Sequence, residues 1–365
     1  MAEHNASRRD IVSTYMHWAK VRPHARFNLA SSGARDLNRD HLPKLDIGPE
    51  LTSPHAYGYP PLLEAIAARY GANPENVATS IGTSQANHLA IAALIEPGDD
   101  VLAEWPGYEP LVATARFLGA SLRFFERSAE RGFAIDADEV RRLITPKTRL
   151  VLLTNPHNPS GAFTDDATLA RIGVAAERMG AHLLLDEAYL DVAPNARSSF
   201  HLGPNFVATA SLTKCYGLSG LRCGWILADK ETATRIWRLY DLFEASRVYW
   251  AEKMSAAVFP HLDKLLERTR SLVARNRTAL HALYDRSADV EGIRNGEGTI
   301  AFPRLTRGNV EAFAKLLHER YEVAIVPGHF FGRDDHFRIG LARDPEIFAQ
   351  GLNRIEAVLA EHGPG

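Results

Sequence analysis

Short apolar runs alternate with helix-like segments between about residues 77 and 229, and this alternation limits the choice of fold. The runs have the length of buried strands and cover residues 101–104, 150–154, 182–186, 206–210 and 223–228. Between several of them, apolar residues recur at helical spacing, as in 137–144 and 167–179. This order predicts an α/β fold in which helices cover both faces of a mainly parallel sheet.

The chain is too long for one compact core. At 365 residues it exceeds the size at which a single core stops growing, so two lobes are expected. The stretch around 255–288 is rich in leucine, arginine and alanine at helical spacing, with no glycine or proline after Pro260. We expect a large domain over residues 46–255 and a small domain formed by 1–45 and 256–365, in which 256–288 make a long connecting helix.

A lysine lies in a loop of small residues between two of the apolar runs. Ser211 and Thr213 precede Lys214, and Arg222 follows it. A lysine that forms a Schiff base must lose its proton, which burial or a nearby cation favours. Hydroxyl groups and a guanidinium suit a phosphate. The segment therefore fits a phosphorylated carbonyl cofactor, whereas a single Ser-x-Thr-Lys sequence on its own is also typical of a surface loop with a solvated lysine.

Polar side chains follow two further apolar runs. Asp186 and Tyr189 come at the carboxyl end of one run, where open α/β sheets bind ligands. Asp186 is suited to pair with a protonated pyridine nitrogen and Tyr189 to reach a ring hydroxyl. Alternatively, Asp186 caps the next element and Tyr189 belongs to the core. Asn158 follows another run, in a loop whose prolines cannot continue a sheet.

Together these segments resemble the class I/II aminotransferases, which are fold-type I pyridoxal-phosphate enzymes. The resemblance covers nearly the whole chain and depends on three motifs in the family order. They are Asn-Pro-x-Asn-Pro-Ser-Gly at 155–161, Asp-x-x-Tyr at 186–189, and Ser-x-Thr-Lys at 211–214 with a following Gly-x-Arg. The resemblance implies pyridoxal 5′-phosphate as the cofactor, and a mainly parallel large domain with a smaller α+β domain.

The resemblance also implies catalytic roles. Lys214 is similar to the lysine that forms the Schiff base with the cofactor and later moves a proton at the substrate α-carbon. Asp186 is similar to the partner of the pyridine nitrogen. Tyr189 and Asn158 are similar to the pair that binds the ring oxygen, and Asn158 also lies towards the substrate.

A phosphate site is expected at the junction between an apolar run and an alanine-rich helix. A helix amino terminus with small residues presents free N–H groups to an anion. An ordinary helix cap is the alternative use of such a junction. The resemblance assigns the following residues to the phosphate: Gly82, Thr83, Ser84, Ser211 and Arg222.

Further residues resemble family positions around the ring and the substrate. Tyr108 matches the aromatic residue that stacks on the cofactor, and the nearby Trp105 is assigned to packing. Arg338 resembles the arginine that clamps the substrate α-carboxylate, which a planar guanidinium fork suits. A structural ion pair is the alternative for Arg338. Ser32 and Gly33 resemble the amino-terminal segment that lies over the substrate, with a plain loop as the alternative.

A homodimer is implied because the family completes its cofactor pocket across a two-fold axis. Either Tyr57 or Tyr59 is expected to reach the phosphate of the neighbouring subunit, and we favour Tyr57. The side-chain pocket is less defined, since no basic residue is assigned to a distal carboxylate. Glu109, Arg35 and His157 lie near predicted site loops and are suited to select a polar or cationic side chain.

Fold and cofactor do not fix the reaction. The resemblance favours transfer of an amino group from an L-amino acid to a 2-oxo acid. Several stretches, including 31–34, 156–161, 298–304 and 327–340, also resemble capreomycidine synthases, which cyclise a hydroxylated arginine. Elimination and cyclisation are therefore the second hypothesis. A non-catalytic ligand-binding module is the third, and the intact Lys214 argues against it.

Charge and composition exclude other classes. The net charge of −2 gives no electrostatic reason to expect nucleic acid or an anionic membrane. The first ten residues lack the apolar stretch of a signal peptide, and no apolar run is long enough to cross a bilayer, so a cytoplasmic protein is expected. Cys215 and Cys223 suggest neither a disulfide framework nor a zinc site.

Overall fold

The structure is a computed structural model that describes residues 10–362, apart from residues 43, 46, 47, 51 and 245. The α-helices of this part are α1 Thr14–Val21, α2 Pro60–Tyr70, α3 Thr83–Leu94, α4 Glu109–Phe117, α5 Ala137–Leu143, α6 Asp166–Glu177, α7 Lys230–Tyr240, α8 Tyr249–Val258, α9 Leu262–Arg286, α10 Val310–Tyr321 and α11 Pro345–His362. The strands are β1 Phe27–Asn28, β2 Val77–Ser80, β3 Asp100–Trp105, β4 Ser121–Glu126, β5 Thr148–Thr154, β6 His182–Asp186, β7 Phe206–Ser211, β8 Gly224–Leu227, β9 Val290–Glu291, β10 Ile300–Ala301, β11 Arg304–Leu305, β12 Val323–Ala324, β13 Val326–Pro327 and β14 Phe337–Gly340.

A central sheet organises the large part of the molecule. Within the described residues its strand order is β2-β8-β7-β6-β5-β3-β4. Every neighbouring pair is parallel except the two that involve β8, which runs antiparallel to β2 and β7. The connection from β7 to β8 contains a 3-10 turn, Ser219–Leu221, and no α-helix, in keeping with antiparallel neighbours that need no crossover helix. The mainly parallel sheet predicted from the sequence is confirmed.

Helices cover both faces of this sheet. On one face, apolar side chains of α3, α4 and α7 pack against the strands, with Leu89, Leu111 and Ile236 buried in one cluster. On the other face, α5 and α6 contribute Val140 and Ile172 to a second cluster. Apart from the edge strand β4, the strands are buried on both sides, which is why their sequences are continuous apolar runs rather than alternating ones. The predicted α/β architecture is confirmed.

Smaller sheets lie towards the carboxyl-terminal part of the chain. Strand β1 pairs in parallel with β12, so that Phe27 lies opposite Val323. Strand β14 is flanked by β10 and β13 in an antiparallel arrangement, and β9 pairs with β11. The pairing of β1 with β12 supports a small lobe made from both ends of the chain, and the domain boundaries stay a prediction.

A long helix, α9, runs alongside this region. Its buried residues recur every three or four positions, from Leu262 through Thr269 and Val273 to Leu283, so one face packs inward. The segment 256–288, expected as one connecting helix, contains the end of α8, a 3-10 turn and the 25-residue helix α9. Asn276 Nδ2 donates to the carbonyls of Leu341 (2.7 Å) and Arg343 (2.9 Å) and ties α9 to the chain after β14. Across the described residues, each helix is too short or too polar to span a lipid bilayer.

Candidate active site

A cavity of about 350 Å³ lies at the carboxyl edge of the central sheet, where the polar residues after β5, β6 and β7 meet. Parallel registry brings them together, because Thr154 lies opposite Asp186 and Asp186 lies opposite Thr209. The structure places these predicted site residues in its wall: Ser32, Thr83, Ser84, Tyr108, Asn158, Asp186, Tyr189, Ser211, Lys214 and Arg222. The predicted residues Gly33, Gly82, Arg338 and Tyr57 are not among those that line it.

A larger cavity of about 970 Å³ lies elsewhere, beside α2 and the start of α9. Its wall includes Arg69, Asp191 and Arg270. None of the predicted site residues lines it. The chemistry of the smaller cavity, and not its size, therefore identifies it as the candidate active site.

Lys214 opens onto this cavity from the loop after β7. Its Nζ donates to Ser32 Oγ at 3.1 Å. Gly33 lies against the lysine stem, since a Cβ at Gly33 would be 3.6 Å from Lys214 Cδ. Loss of solvent lowers the pKa of Lys214; the Tyr15 phenol and Asp186 oppose this shift, and Arg338 and Arg222 add to it. A lowered pKa increases the fraction of neutral amine, which is the form that attacks a carbonyl group.

Asp186 is held at the end of β6 by two donors. Asn87 Nδ2 donates to Oδ2 at 2.8 Å, and the backbone N–H of Ala188 donates to Oδ1 at 3.0 Å. Asn87 is itself oriented by Thr209 Oγ1, which donates to its side-chain oxygen at 2.5 Å. Burial raises the pKa of Asp186, while the hydrogen bonds and Lys214 act to lower it. A buried carboxylate of this kind gains from a cationic partner such as a protonated ring nitrogen.

The junction between β2 and α3 has the features of an anion site. Thr83 Oγ1 donates to Ser211 Oγ at 2.7 Å, which brings two hydroxyl groups to the amino terminus of α3. Arg222 lies beside them, and its Nη2 donates to the carbonyl of Ile81 at 2.8 Å. Gly82 has φ +95, and a Cβ there would approach Arg222 Nη2 to 2.6 Å. Hydroxyls, a helix amino terminus and a guanidinium in one cradle fit a phosphate.

Asn158 and Tyr189 lie deep in the cavity. The backbone N–H of Asn158 donates to Thr154 Oγ1 at 2.8 Å. Thr154 is fixed in turn, because its Oγ1 donates to Glu104 Oε1 at 2.5 Å. Burial raises the pKa of Tyr189 above its usual value, so its phenol keeps its proton. Both residues line the cavity, so a bound ring there can meet an amide and a protonated phenol.

Arg338 lies on β14 behind the cavity wall. Its Nη1 donates to Asn158 Oδ1 at 3.0 Å and its Nη2 donates to Tyr15 Oη. Its Nε is buried and has no hydrogen-bond partner among the described residues. Such an unpaired buried donor is costly, and a carboxylate is the ligand that a guanidinium fork fits. For a carboxylate to bind the Arg338 guanidinium, Tyr15 or Asn158 must first lose its hydrogen bond to it.

Tyr57 and Tyr59 are outside the cavity of their own chain. Tyr57 is on the surface, where its Oη donates to Asp241 at 3.2 Å and accepts from Arg238 Nη1 at 2.5 Å. Tyr59 begins α2, and its backbone N–H donates to Glu252 Oε2 at 2.8 Å. Neither tyrosine contributes to the site of the chain that carries it.

The structure adds residues that sequence reasoning missed. Tyr15, Trp18 and Arg22 on or beside α1 line the cavity, as do Asn87 and Thr154. Asn87 carried a detectable signal, since it is a polar residue one helical turn after Thr83 and so lies on the same face of the helix. No comparable signal marks α1, because its position over the cavity depends on contacts far away in sequence.

The three candidates for substrate selection take other positions. His157 is buried, with Nε2 2.9 Å from the carbonyl of Pro106 and Nδ1 2.7 Å from Ser160 Oγ. Burial lowers the pKa of His157 well below its usual range, so the ring is neutral. Glu109 accepts from Ser13 Oγ, and Arg35 pairs with Asp344. None of the three lines the cavity.

Comparison with known proteins identifies the relatives. The sequence model of the family "Aminotransferase class I and II" matches residues 29–355. A capreomycidine synthase from Streptomyces vinaceus is 33% identical over 315 residues, which cover 83% of this chain and 80% of that protein. A PLP-dependent aminotransferase from Streptococcus suis is 26% identical with a TM-score of 0.88, and the match covers 96% of this chain and 98% of that one. The PLP-dependent cyclase OrfR is 26% identical with a TM-score of 0.87, covering 99% and 100%.

The geometry and the relatives agree on the cofactor. The cavity wall combines the hydroxyls and the guanidinium of the anion site, the buried carboxylate of Asp186 and the amine of Lys214, whose pKa is lowered. These groups fit the phosphate, the pyridine nitrogen and the carbonyl carbon of pyridoxal phosphate, respectively. The predicted cofactor and the predicted family resemblance are both confirmed, and the chain belongs to the class I and II aminotransferases, a family of pyridoxal-phosphate-dependent enzymes.

Proposed function

We propose that the protein is an aminotransferase that moves the amino group of an L-amino acid to a 2-oxo acid. The observation that carries this proposal is the placement of Lys214, with its lowered pKa, in one cavity with Asp186 and the anion cradle. Arg338, whose Nε finds no hydrogen-bond partner in the described part of the chain, lies directly behind Asn158. In this arrangement Lys214 can accept the α-proton, Asp186 and the anion cradle can bind the cofactor, and the Arg338 guanidinium can bind the substrate carboxylate.

Each residue has a distinct task in this proposal. Bound pyridoxal phosphate supplies an electron sink for the negative charge that develops at the substrate α-carbon. Asp186 keeps a proton on the ring nitrogen, and Thr83, Ser211 and Arg222 hold the phosphate. The Lys214 amine accepts the α-proton at Nζ and can donate it to a carbon other than the substrate α-carbon. Arg338 holds the α-carboxylate, so that the α-hydrogen lies within reach of Lys214.

The charges of the cavity favour an amino acid without a cationic side chain over an arginine derivative. Of the described residues that line the cavity, Asp186 is the only carboxylate, and the cofactor ring requires it. The cationic residues in the wall are Arg22, Lys214 and Arg222. A substrate guanidinium would therefore find like charges and no free carboxylate partner, which is unfavourable in a partly buried site.

Elimination with cyclisation is the second candidate, and the comparisons support it. The relative from Streptomyces vinaceus is a capreomycidine synthase and shares 33% identity over most of its length. The cyclase OrfR matches over the full chain at a TM-score of 0.87. The first step, removal of an α-proton by Lys214, is the same in both proposals, and they differ in where the proton and the leaving group go next.

We also propose a homodimer. Large apolar side chains are exposed in the connection between α7 and α8 and in the first turn of α8: Leu242, Phe243, Val248 and Trp250, of which Leu242 is 78% exposed. Tyr57 adjoins this surface through its hydrogen bond to Asp241. Several large exposed apolar side chains in one short stretch support a protein interface there. Its closeness to Tyr57 supports the prediction that this tyrosine serves the neighbouring subunit's site.

The test is a single-turnover reaction of the cofactor-loaded protein with individual amino acids, hydroxyarginine included. We expect the absorbance of the bound cofactor to change and one 2-oxo acid to form per active site. Lys214→Ala should form none, and Lys230→Ala, on the exposed amino terminus of α7, serves as the control. If hydroxyarginine loses water and no 2-oxo acid forms, the proposed transamination is wrong and cyclisation becomes the proposed reaction.

A further inference from the structure

Arg22 lies at the end of α1 and lines the same cavity as Lys214. It caps the helix, since its backbone N–H donates to the carbonyl of Trp18 at 2.9 Å. Helix α1 is fixed over the site at its other end as well, because Ser13 Oγ donates to Glu109. Arg22 therefore ends a helix that is hydrogen-bonded at both of its ends.

The guanidinium of Arg22 has little to bind in the described part of the chain. Its Nη2 donates to Asn28 Oδ1 at 3.0 Å, and its carbon lies 5.4 Å from the centre of the Trp18 ring. No carboxylate of a described residue comes within ion-pair distance of it. Arg22 is half-buried, so its remaining N–H groups have lost part of their water without gaining a full set of partners.

The neighbours of Arg22 hold it in place. Asn28 Oδ1 also accepts from the backbone N–H of Ala30 at 3.2 Å, which fixes the amide that binds the guanidinium. Burial lowers the pKa of Arg22, the Tyr15 phenol opposes this shift, and the positive charge of Arg338 adds to it. Two guanidinium groups are thus close enough to influence one another. An anion beside Arg22 would remove that unfavourable interaction.

A substrate with two carboxylates matches this pattern. In the proposed function the α-carboxylate binds Arg338, which leaves Arg22 as a separate cationic group at the cavity wall. Trp18, Met16 and Ala19 line the same side and give a partly apolar surface for methylene groups. A guanidinium fork binds a carboxylate through charge-assisted hydrogen bonds.

We infer that Arg22 recognises the distal carboxylate of a dicarboxylic amino acid and of its 2-oxo acid, the aspartate and glutamate class. This inference rests on the proposed transamination, and it names the substrate class for that site. Arg22 acts in it as a specificity-determining residue, and takes no part in proton transfer.

The test compares Arg22→Gln with Arg26→Gln in the cofactor-loaded protein. Arg26 is an exposed arginine four residues further along, so it controls for a general loss of positive charge. The first readout is the ratio of kcat/KM for glutamate to kcat/KM for leucine. Loss of a charge-assisted hydrogen bond should lower this ratio about 10- to 100-fold in Arg22→Gln, mainly through KM, and leave it unchanged in Arg26→Gln.

The second readout is binding without turnover. Calorimetry should show that glutarate binds more tightly than butyrate to the wild type, that Arg22→Gln removes this difference, and that Arg22→Lys restores part of it. If kcat/KM in Arg22→Gln falls equally for glutamate and for leucine, Arg22 only supports the end of α1, and the inference is wrong. So would equal binding of glutarate and butyrate by the wild type.

The outcomes separate the inference from the proposed function. If 2-oxo acids form but the glutamate preference is absent or independent of Arg22, the substrate class is wrong and transamination stands. If no amino acid yields a 2-oxo acid, the proposed transamination is wrong, and with it the assignment of Arg22 to an amino-acid substrate. Glutarate binding that still depends on Arg22 would then identify an anion site with another use.

Discussion

Asp186 depends on a neighbour that no motif contains. Asn87 donates to its carboxylate at 2.8 Å, and Thr209 in turn donates to Asn87. We predict that Asn87→Leu, which is similar in size, lowers kcat about tenfold near neutral pH, since a hydrogen bond to a charged group is lost. Because this hydrogen bond lowers the pKa of Asp186, the acid limb of the kcat profile should move to higher pH. The pH dependence of kcat in the wild type and the variant measures this shift.

Thr209→Val is the matched variant for that experiment. It leaves the Asn87 amide in place and removes the hydroxyl group that orients it, so the same shift should appear at a smaller size. If both variants lose stability while the acid limb stays at its wild-type position, Asn87 only supports the fold and the assigned role is wrong.

The carboxyl next to Asp186 controls stability rather than chemistry. Glu187 is buried, and its Oε1 accepts from the backbone N–H and Oγ of Ser199 at 2.7 and 2.6 Å. Burial raises the pKa of Glu187 to about 7, although hydrogen bonds from Ser199 and Ser198 oppose the shift. The folded state therefore binds a proton more tightly than the unfolded state, and its stability falls as the pH rises from about 4.5 to about 7.

Glu187→Gln removes this titration and keeps an oxygen acceptor for Ser199. We predict that the free energy of unfolding of the wild type, measured relative to the variant, falls by about 2 to 3 kcal/mol between pH 5 and pH 8. Urea unfolding of the cofactor-free protein at the two pH values gives the difference directly. Parallel changes in the two proteins would show that the Glu187 carboxyl titrates normally.

At the scale of elements, the start of α3 combines backbone geometry with anion binding. Gly82 has φ +95, and a Cβ there would clash with Arg222 Nη2 at 2.6 Å. We predict that Gly82→Ala costs about 1 to 3 kcal/mol of stability and weakens binding of pyridoxal phosphate at least about tenfold, because Arg222 must move. Fluorescence or absorbance titration of the cofactor-free protein measures that affinity.

Gly98→Ala is a matched control for this change. Gly98 has φ +96, and a Cβ there would meet nothing within 4 Å. It should therefore lose a similar amount of stability while its affinity for the cofactor stays at the wild-type value. Equal weakening in the two variants would mean that the cradle tolerates a side chain at Gly82.

Strand ends were predictable from the sequence, whereas the helix over the cavity was not. Asp186 and Ser211 stand at the ends of apolar runs, and parallel strands bring such ends to one edge of the sheet. The role of Tyr15 depends on a hydrogen bond with a residue 323 positions away. No local pattern on α1 reports that contact, because it arises only when both ends of the chain pack together. Arg22 was missed for the same reason.

At the scale of the whole molecule, the central sheet supplies most of the cavity and other parts close it. Helix α1 covers it, and Arg338 on β14 lies behind Asn158. The periodicity of the sequence predicted the sheet and its helices, since burial on both faces follows from composition along each strand. It gave no information on which residues would face a second subunit, because an interface residue resembles any other exposed apolar residue.

The proposed dimer leads to a test of Tyr57 with hybrid molecules. If this tyrosine binds the phosphate in the neighbouring subunit, Tyr57→Phe should weaken cofactor binding about tenfold, since a hydrogen bond to a charged group is lost. In a hybrid with Lys214→Ala, one site then carries both defects and the other carries neither. The purified hybrid, assayed at limiting cofactor, should therefore show about one half of wild-type activity although both parent proteins are impaired, because one of its two sites is intact.

Tyr59→Phe mixed with Lys214→Ala distinguishes the two tyrosines, since only the one that crosses the interface restores activity. The mixture is prepared by refolding differently tagged chains together, and the hybrid is purified through both tags before assay. Hybrid activity equal to the mean of the two parent proteins would show that Tyr57 does not act across the interface. Separate sedimentation measurements on Leu242→Asp, with Phe117→Asp on a different exposed surface as control, decide whether the apolar surface between α7 and α8 holds the dimer together.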